Sequence, residues 1–432
     1  MIKSLHRRIP GSALVLMLLA GGAAELDAQL TNASAAALGL GENHTAGARG
    51  FSAIAWNPAG LAMPDTPGGS FALLPVQLVG GLGPIGLADF KDFEGTIVPE
   101  QTKSQWYERI AAAGGEQGVA GGDVTYLALQ WGRVGVQASS TARVAGVLGP
   151  GAAELLLFGN AGRTGQAGDF VLAGSSFDVA AVSTGAISYG HPVIRDAERA
   201  LSLGVTLKRS VGHVLVSGRD AGSEFGSDPL AVSLDFPIIH SDTTQDASAL
   251  DSGGGISLDV GAAWESGSLT AGVAVRNLVD TFAWDEDDLF FRPGVAEADD
   301  DDVTTDVDAR PFSSAPQEVR DRLDDLGFSP VVAVGLGYRV SPRLLVTGDV
   351  RRNLRESVLA GPQSHVGLGA ELAPLDWLPL RAGAALVTGG HLLSAGVGLR
   401  LGPVRLAASA ARTDGEFGAG SVMMFTLSGG GF

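Results

Sequence analysis

The residues best suited to chemistry are seven arginines, Arg276, Arg339, Arg343, Arg351, Arg381, Arg400 and Arg405, with two aspartates, Asp259 and Asp349. They stand in or beside segments where apolar and polar residues alternate, and they fall opposite the apolar row. Cations and carboxylates on one face have two uses. They can pair and rigidify the surface, the reading favoured here, or they can steer and contact an anionic substrate, because low-dielectric walls focus the field. Catalysis has less behind it. His44, His191, His213, His240, His365 and His391 lack the spacing of a zinc site. Ala181-Val182-Ser183-Thr184-Gly185 fails the nucleophile-elbow pattern at its first position. The carboxylates of Asp285 to Asp288 and Glu297 to Asp308 suit a hard cation, but no Asp-x-Asp-x-Asp-Gly loop closes on a Glu. That block reads as a solvated loop held open by self-repulsion. No catalytic residue, metal site or cofactor is expected.

The elements that must carry the charged face are strands. Ile256, Leu258, Val260, Ala262 and Trp264 alternate with Ser257, Asp259 and Gly261. Leu269, Ala271, Val273 and Val275 alternate with Thr270, Gly272, Ala274 and Arg276. Val332, Val334, Leu336 and Tyr338 do so with Ala333, Gly335, Gly337 and Arg339, and Leu393 to Arg400 repeats the pattern. Leu203, Val205 and Leu207 stand opposite Thr206 and Lys208. Such alternation gives a strand with one apolar and one polar face. A soluble sandwich alternates too, but three features point to the membrane. Short turns join consecutive segments at Trp131-Gly132-Arg133, Ser341-Pro342-Arg343 and Thr388-Gly389-Gly390. The charges keep to one parity, as they must where an Arg on the lipid face near the midplane costs about 2–4 kcal/mol. The polar face is rich in Gly, Ala, Ser and Thr, as a lumen needs. Segments of about 9–11 residues suit a tilted spanning strand. The expected fold is all-β, a transmembrane antiparallel up-and-down β-barrel of roughly fourteen strands.

The organisation follows. Residues 1–28 read as a secretory signal: Lys3, Arg7 and Arg8, then the apolar run Ala13 to Ala20, then small residues with cleavage after Ala24 or, preferred, Ala28. Residues 29–66 show little regular pattern and hold Asn57-Pro58-Ala59-Gly60, a turn or helix-entry signal that also fits a compact plug. Residues 67–432 form the barrel, with acidic external loops at about 218–254 and 285–310. Gly81-Leu82-Gly83-Pro84-Ile85-Gly86 matches the dinucleotide fingerprint formally, but no alternating helix–strand units follow, so it reads as a glycine-rich turn. Helices are expected at Gln101 to Gly114, Gly151 to Phe158 and Ala315 to Leu326. Phe432 at the end supports an outer-membrane barrel, with Gly429-Gly430-Gly431 as a bulge that resets its register from Met423, Phe425 and Leu427. The absence of Cys excludes a disulfide framework and a thiolate site. A net charge of −18 argues against nucleic acid as a partner.

A signal, then Gly50 to Ala62 reading GFSAIAWNPAGLA, then an alternating barrel ending in Phe resembles the FadL/TodX-type outer-membrane transport superfamily, which includes PorV-like barrels. The specific similarity covers roughly residues 36–66. The resemblance implies an outer-membrane location and a fourteen-stranded barrel plugged by an N-terminal hatch, with Asn57, Pro58, Ala59 and Gly60 as the hatch motif. It also implies transport of small hydrophobic or amphipathic solutes such as fatty acids, with membrane lipids as partners. The alternatives are a PorV-like barrel that docks a secretion partner protein, or a structural barrel. Six per cent aromatic residues is a thin supply for an aromatic-lined ligand pocket.

Overall fold

The computed structural model describes residues 30–166, 168–227, 230–242, 251–298, 303–354, 363–415 and 418–430. The expected signal, the run Asp299 to Asp302 and Phe432 lie outside the described residues. The alternating segments become fourteen barrel strands: β1 (Gly69–Gly83), β2 (Glu116–Trp131), β3 (Val134–Leu148), β4 (Ser176–Arg195), β5 (Arg199–Arg219), β6 (Gly253–Ser266), β7 (Leu269–Asp280), β8 (Val331–Ser341), β9 (Leu344–Asn353), β10 (Ser364–Leu375), β11 (Leu378–Val387), β12 (Gly390–Leu401), β13 (Val404–Gly415) and β14 (Gly418–Gly430). Each pairs antiparallel with its sequence neighbours, and β1 pairs with β14, so the barrel itself has no open edge.

Burial is inverted relative to a soluble protein. In β5, Leu203, Val205 and Leu207 are 50%, 45% and 50% exposed, while Ser202, Thr206 and Lys208 are at most 2% exposed. The same holds around the wall, where Leu336, Leu368, Leu393 and Phe425 face out and Ser257, Asp259, Asp349 and Ser409 face in. A continuous apolar outer surface over a polar interior is what a bilayer selects. The charge parity is incomplete, however. Arg209, Arg352 and Arg412 face outward and are exposed. Each stands toward the loop end of its strand. Arg209 sits ten residues above Arg199; at about 3.3 Å per residue and a tilt near 40° this is roughly 25 Å up, at the edge of the apolar band, where the penalty for a cation falls toward zero.

Connections of two or three residues follow β2, β4, β6, β8, β10 and β12, and define a short-turn rim that also holds the start of β1 and the end of β14. The turn at Thr388-Gly389 belongs to the opposite, loop rim, because it follows an odd-numbered strand. Strands β4 and β5, of 20 and 21 residues, rise beyond the band into the loops. The long connections fold on themselves. The β1–β2 loop holds α3 (Leu87–Lys91) and α4 (Glu100–Ala112), and the β3–β4 loop holds α5 (Pro150–Phe158). Glycine-rich residues 81–83 end β1, and the turn follows at 84–86. Five short strands, among them Glu224–Ser227, Leu230–Asp235 and Val295–Ala298, make a second sheet outside the barrel. The helix expected over Ala315 to Leu326 is α6 (Gln317–Asp321) continued by a 3₁₀ stretch, Arg322–Leu326.

Two wall irregularities sit side by side. Register shifts between Leu73 and Val76 on the β14 side, around Pro75, which has no N–H to offer, and between Thr125 and Leu127 in β2. No shift occurs at Gly429 or Gly430, which pair with Phe71 and Ser70 in simple register, and Gly431 lies outside the described residues.

Candidate functional site

The barrel interior is occupied by the chain's own N-terminal segment. Two short helices, α1 (Ala35–Gly39) and α2 (Ala53–Trp56), and a 3₁₀ turn, Pro58–Ala62, form in it; the helices are built largely of alanine, the best helix former, and Leu38, Ile54 and Trp56 are their buried large anchors. Asn57 caps the 3₁₀ turn, its Oδ1 accepting from Ala59 N at 3.2 Å, and Pro58 opens the turn where a missing N–H costs nothing. Asn57 Nδ2 donates to the Thr45 carbonyl at 3.2 Å within the segment and to the Ala262 carbonyl of β6 at 3.1 Å. Asn57, Ala59 and Leu61 are at most 1% exposed.

The segment follows the wall closely because the wall is cut away beneath it. A Cβ on Gly383 of β11 would lie 2.2 Å from Gly41 N, one on Gly369 of β10 2.4 Å from the Leu40 carbonyl oxygen, and one on Gly335 of β8 2.8 Å from Ala46 N. Farther along, a Cβ on Gly261 of β6 would lie 2.1 Å from Asn57 Oδ1, and one on Gly204 of β5 2.2 Å from Ala59 N. Real side chains do not approach so near. A belt of inward glycines on β5, β6, β8, β10 and β11 therefore forms the track on which residues 39–62 lie.

Ionic groups fix the segment at defined points. Asp349 of β9 accepts the backbone N–H groups of His44 and Thr45, both at 2.9 Å. Arg351 donates to Glu42 Oε2 at 2.6 Å, and its guanidinium stands 5.4 Å from the Trp56 ring. Arg49 pairs with Glu265 of β6 at 3.1 Å. Thr31 meets Thr125 of β2 through their hydroxyls at 2.6 Å, and Gln137 of β3 donates to the Thr31 carbonyl at 2.7 Å. Ser409 of β13 donates to the Ala35 carbonyl at 2.5 Å.

The remaining charged residues sort by place. Asp259 pairs with a lysine, Lys208, at 2.5 Å; Asn277 completes the group, with its N–H on Asp259 and its Oδ1 on Lys208. Arg276 is buried on the wall beside a cavity of about 20 Å³ bordered by Glu42, Trp56, Asp123 and Arg351. Arg381, Arg400 and Arg405 gather around Glu371 at the short-turn end. Arg339 has the inward parity but is exposed at the rim, and Arg343 is exposed in the β8–β9 turn, where alternation has ended and no lumen wall remains. The pair Arg143–Asp123, with both carboxylate oxygens 2.9 Å from Arg143 Nη2, has no counterpart in the sequence reading, because β2 and β3 carry polar residues on both faces. Ser183, from the near-miss nucleophile motif, joins a ladder of hydroxyls and imidazole with Ser140 at 2.6 Å and His213 at 2.8 Å. Among the described residues no group of three or more His, Asp or Glu is placed to hold a metal.

A second core packs at the loop end. Residues of the β7–β8 connection, including Phe282, Trp284, Leu289, Phe291, Phe312 and Phe328, pack into one core with Ala180, Val182 and Leu215 of β4 and β5. Trp284 Nε1 donates to the Leu326 carbonyl at 2.9 Å.

The closed antiparallel barrel of fourteen strands has counterparts among solved structures. The Pseudomonas putida toluene transporter TodX matches over 95% of this chain and 100% of its own, with a TM-score of 0.50 at 12% identity. The chain has the FadL/TodX-type barrel fold. A Pseudomonas aeruginosa FadL homologue covers 94% of this chain and 100% of its own, at TM-score 0.47 and 12% identity. No family model and no curated protein sequence matches the chain. Likeness at this level concerns the path of the backbone, so the side-chain arrangement within the FadL/TodX-type barrel described above belongs to this chain.

Proposed function

We propose that this chain is an outer-membrane channel for small hydrophobic or amphipathic solutes, gated by residues 30–66 acting as an internal hatch. The observation that carries the reading is the way residues 39–62 lie on the glycine belt. The contacts that hold them there include hydrogen bonds and ion pairs between two polar surfaces. Water can replace such contacts on detachment, so each is worth only about 0.5–1.5 kcal/mol net, or about 1.5–3 where a charge takes part. A wall held by a closed hydrogen-bond ladder does not need the segment for its own pairing. The segment can therefore move while the barrel stays intact. The apolar outer face supports residence in a bilayer, and the likeness in fold to a toluene transporter supports an apolar solute.

The test uses purified protein in vesicles with a lipopolysaccharide outer leaflet, which slows spontaneous entry of apolar solutes. Entry of labelled toluene should rise with protein and saturate, while glucose entry stays at the protein-free level. Equal toluene entry with and without protein would refute the reading.

A further inference from the structure

On the inner face of β10 to β13, near the short-turn rim, Glu371, Arg381, Arg400 and Arg405 form one group. Glu371 divides its oxygens: Oε2 accepts from Arg381 Nε at 2.8 Å and Oε1 accepts from Arg400 Nη2 at 3.2 Å. Arg400 also donates to the backbone carbonyl of Asp376 at 3.3 Å. Acceptors then run out among the described residues. The Arg381 side chain is 8% exposed, and its Nη1 is buried with no hydrogen-bond partner among the described residues. The Arg405 side chain is exposed, has neither hydrogen bond nor ion pair among the described residues, and stands directly opposite Arg400 in register. Like charges directly opposed across two strands repel. A buried donor without an acceptor is rare in folded proteins and asks for an explanation. Among the described residues, three guanidiniums and one carboxylate leave two positive charges uncompensated on one patch of wall.

We propose that this group is an anion-binding site, which takes the carboxylate or phosphate of a small amphiphile at the short-turn mouth of the lumen. Guanidiniums present paired donors that match both groups. Arg400, 40% exposed at its side chain, opens the site toward the mouth, whereas Arg381 reaches back to the hatch, where a Cβ on Gly39 would lie 3.2 Å from its own Cβ. An anion held here would lie beside the end of α1, below the segment that fills the barrel. Its part as a last contact before release rests on the transport reading; the binding itself does not.

Equilibrium dialysis of the detergent-solubilised full chain tests this, with octanoate, octyl phosphate, inorganic phosphate and octanol as probes. The wild type should bind octanoate and octyl phosphate saturably. Arg400→Gln/Arg405→Gln should weaken both at least tenfold and leave octanol uptake unchanged. Glu371→Gln removes the competing carboxylate and should tighten binding severalfold, which a purely structural role for the group does not predict. Inorganic phosphate that displaces octanoate supports the site and assigns it to free anions as well; phosphate that fails to displace it supports the site and assigns it to amphiphile head groups. Heat-modifiable gel migration verifies that each variant is a folded barrel. Folded Arg400→Gln/Arg405→Gln protein that binds octanoate as tightly as wild type overturns the proposal. Toluene entry, measured on the same samples, reports separately on transport: wild type that binds octanoate yet passes no toluene would sink the channel reading and leave the site standing.

Discussion

Asn57 occupies the space that Gly261 leaves for it: its Oδ1 lies 2.1 Å from where a Cβ on Gly261 would stand, and its Nδ2 bonds the neighbouring Ala262 carbonyl at 3.1 Å. Side chain and gap belong to residues about two hundred positions apart. The most distinctive residue of the N-terminal segment is thus read by the barrel wall itself.

Substitutions at this contact separate shape from polarity. Asn57→Ala removes the hydrogen bonds and should cost about 1–3 kcal/mol in docking of the segment. Asn57→Asp should cost more, because an acceptor then faces the carbonyls of Thr45 and Ala262 where two N–H donors stood. Gly261→Val should expel the side chain altogether. Proteolysis of residues 40–62 in the folded protein reads the effect. Cutting should be fastest in Gly261→Val and Asn57→Asp, intermediate in Asn57→Ala and slowest in wild type. Cutting of Asn57→Asp as slow as that of wild type would contradict the assignment.

Glu42 combines an ion pair with backbone strain. Its φ is +62°, a conformation that costs an L-residue roughly 1–2 kcal/mol, and its carboxylate meets Arg351 at 2.6 Å. Glu42→Ala loses the pair and keeps the strain. Glu42→Gly loses the pair and relieves the strain, so it should be the less damaging by about 1 kcal/mol. Hydrogen exchange at residues 40–46 should rise in both variants, and less in the glycine one. Equal exchange would show that the strained backbone is not what Arg351 holds.

The wall has its own buried ions. Lys208 and Asp259 are both at most 2% exposed. Lys208→Met strands the carboxylate and should lower barrel stability by about 3–5 kcal/mol, whereas Lys208→Met/Asp259→Leu should recover most of the loss. Urea unfolding in lipid vesicles measures both. A single variant as stable as wild type would mean that water reaches the pair.

Much of this architecture is legible in residue order, and the limits have physical causes. Period-2 alternation is local, so the strand faces of β5 to β8 and of β12 could be read directly. Outward cations such as Arg352 escape that rule because the cost of charge falls with distance from the midplane, and depth is not written in alternation. Asn57-Pro58-Ala59-Gly60 is visible as a motif, but its partners Gly204 and Gly261 are ordinary lumen glycines until strand register places them under it. Asp349 invited pairing with an arginine; in the fold its carboxylate serves the backbone of His44 and Thr45 instead. Lys208 and Asp259 lie on paired strands, yet only the register of β5 against β6 makes them neighbours.

Outside the membrane, Asp89 and Arg109 latch α3 to α4, with Arg109 Nη1 2.7 Å from Asp89 Oδ1. The Arg109 hydrogen bond holds the Asp89 carboxyl below its ordinary range. A depressed carboxylate contributes stability above its unfolded pKa, about 3.9, and that contribution is lost as pH falls through the lower folded value. Protease cutting in residues 84–115 should therefore increase below about pH 4 and be less pH-dependent in Asp89→Asn. The pair is partly exposed, so the change should be small. Cutting that slows on acidification would contradict the sign.

The central claim is that residues 30–66 are a movable gate in a barrel that stands without them. A Cβ on Gly135 of β3 would lie 2.6 Å from Ile54 Cγ1, so Ile54→Cys with Gly135→Cys can bridge the segment to the wall in a chain that has no other cysteine. Single-channel conductance of this variant in a planar bilayer, before and after reduction, is the direct measurement. Openings should be absent while the disulfide is intact and appear on reduction, in the same molecules. Equal conductance in the two states would contradict the account.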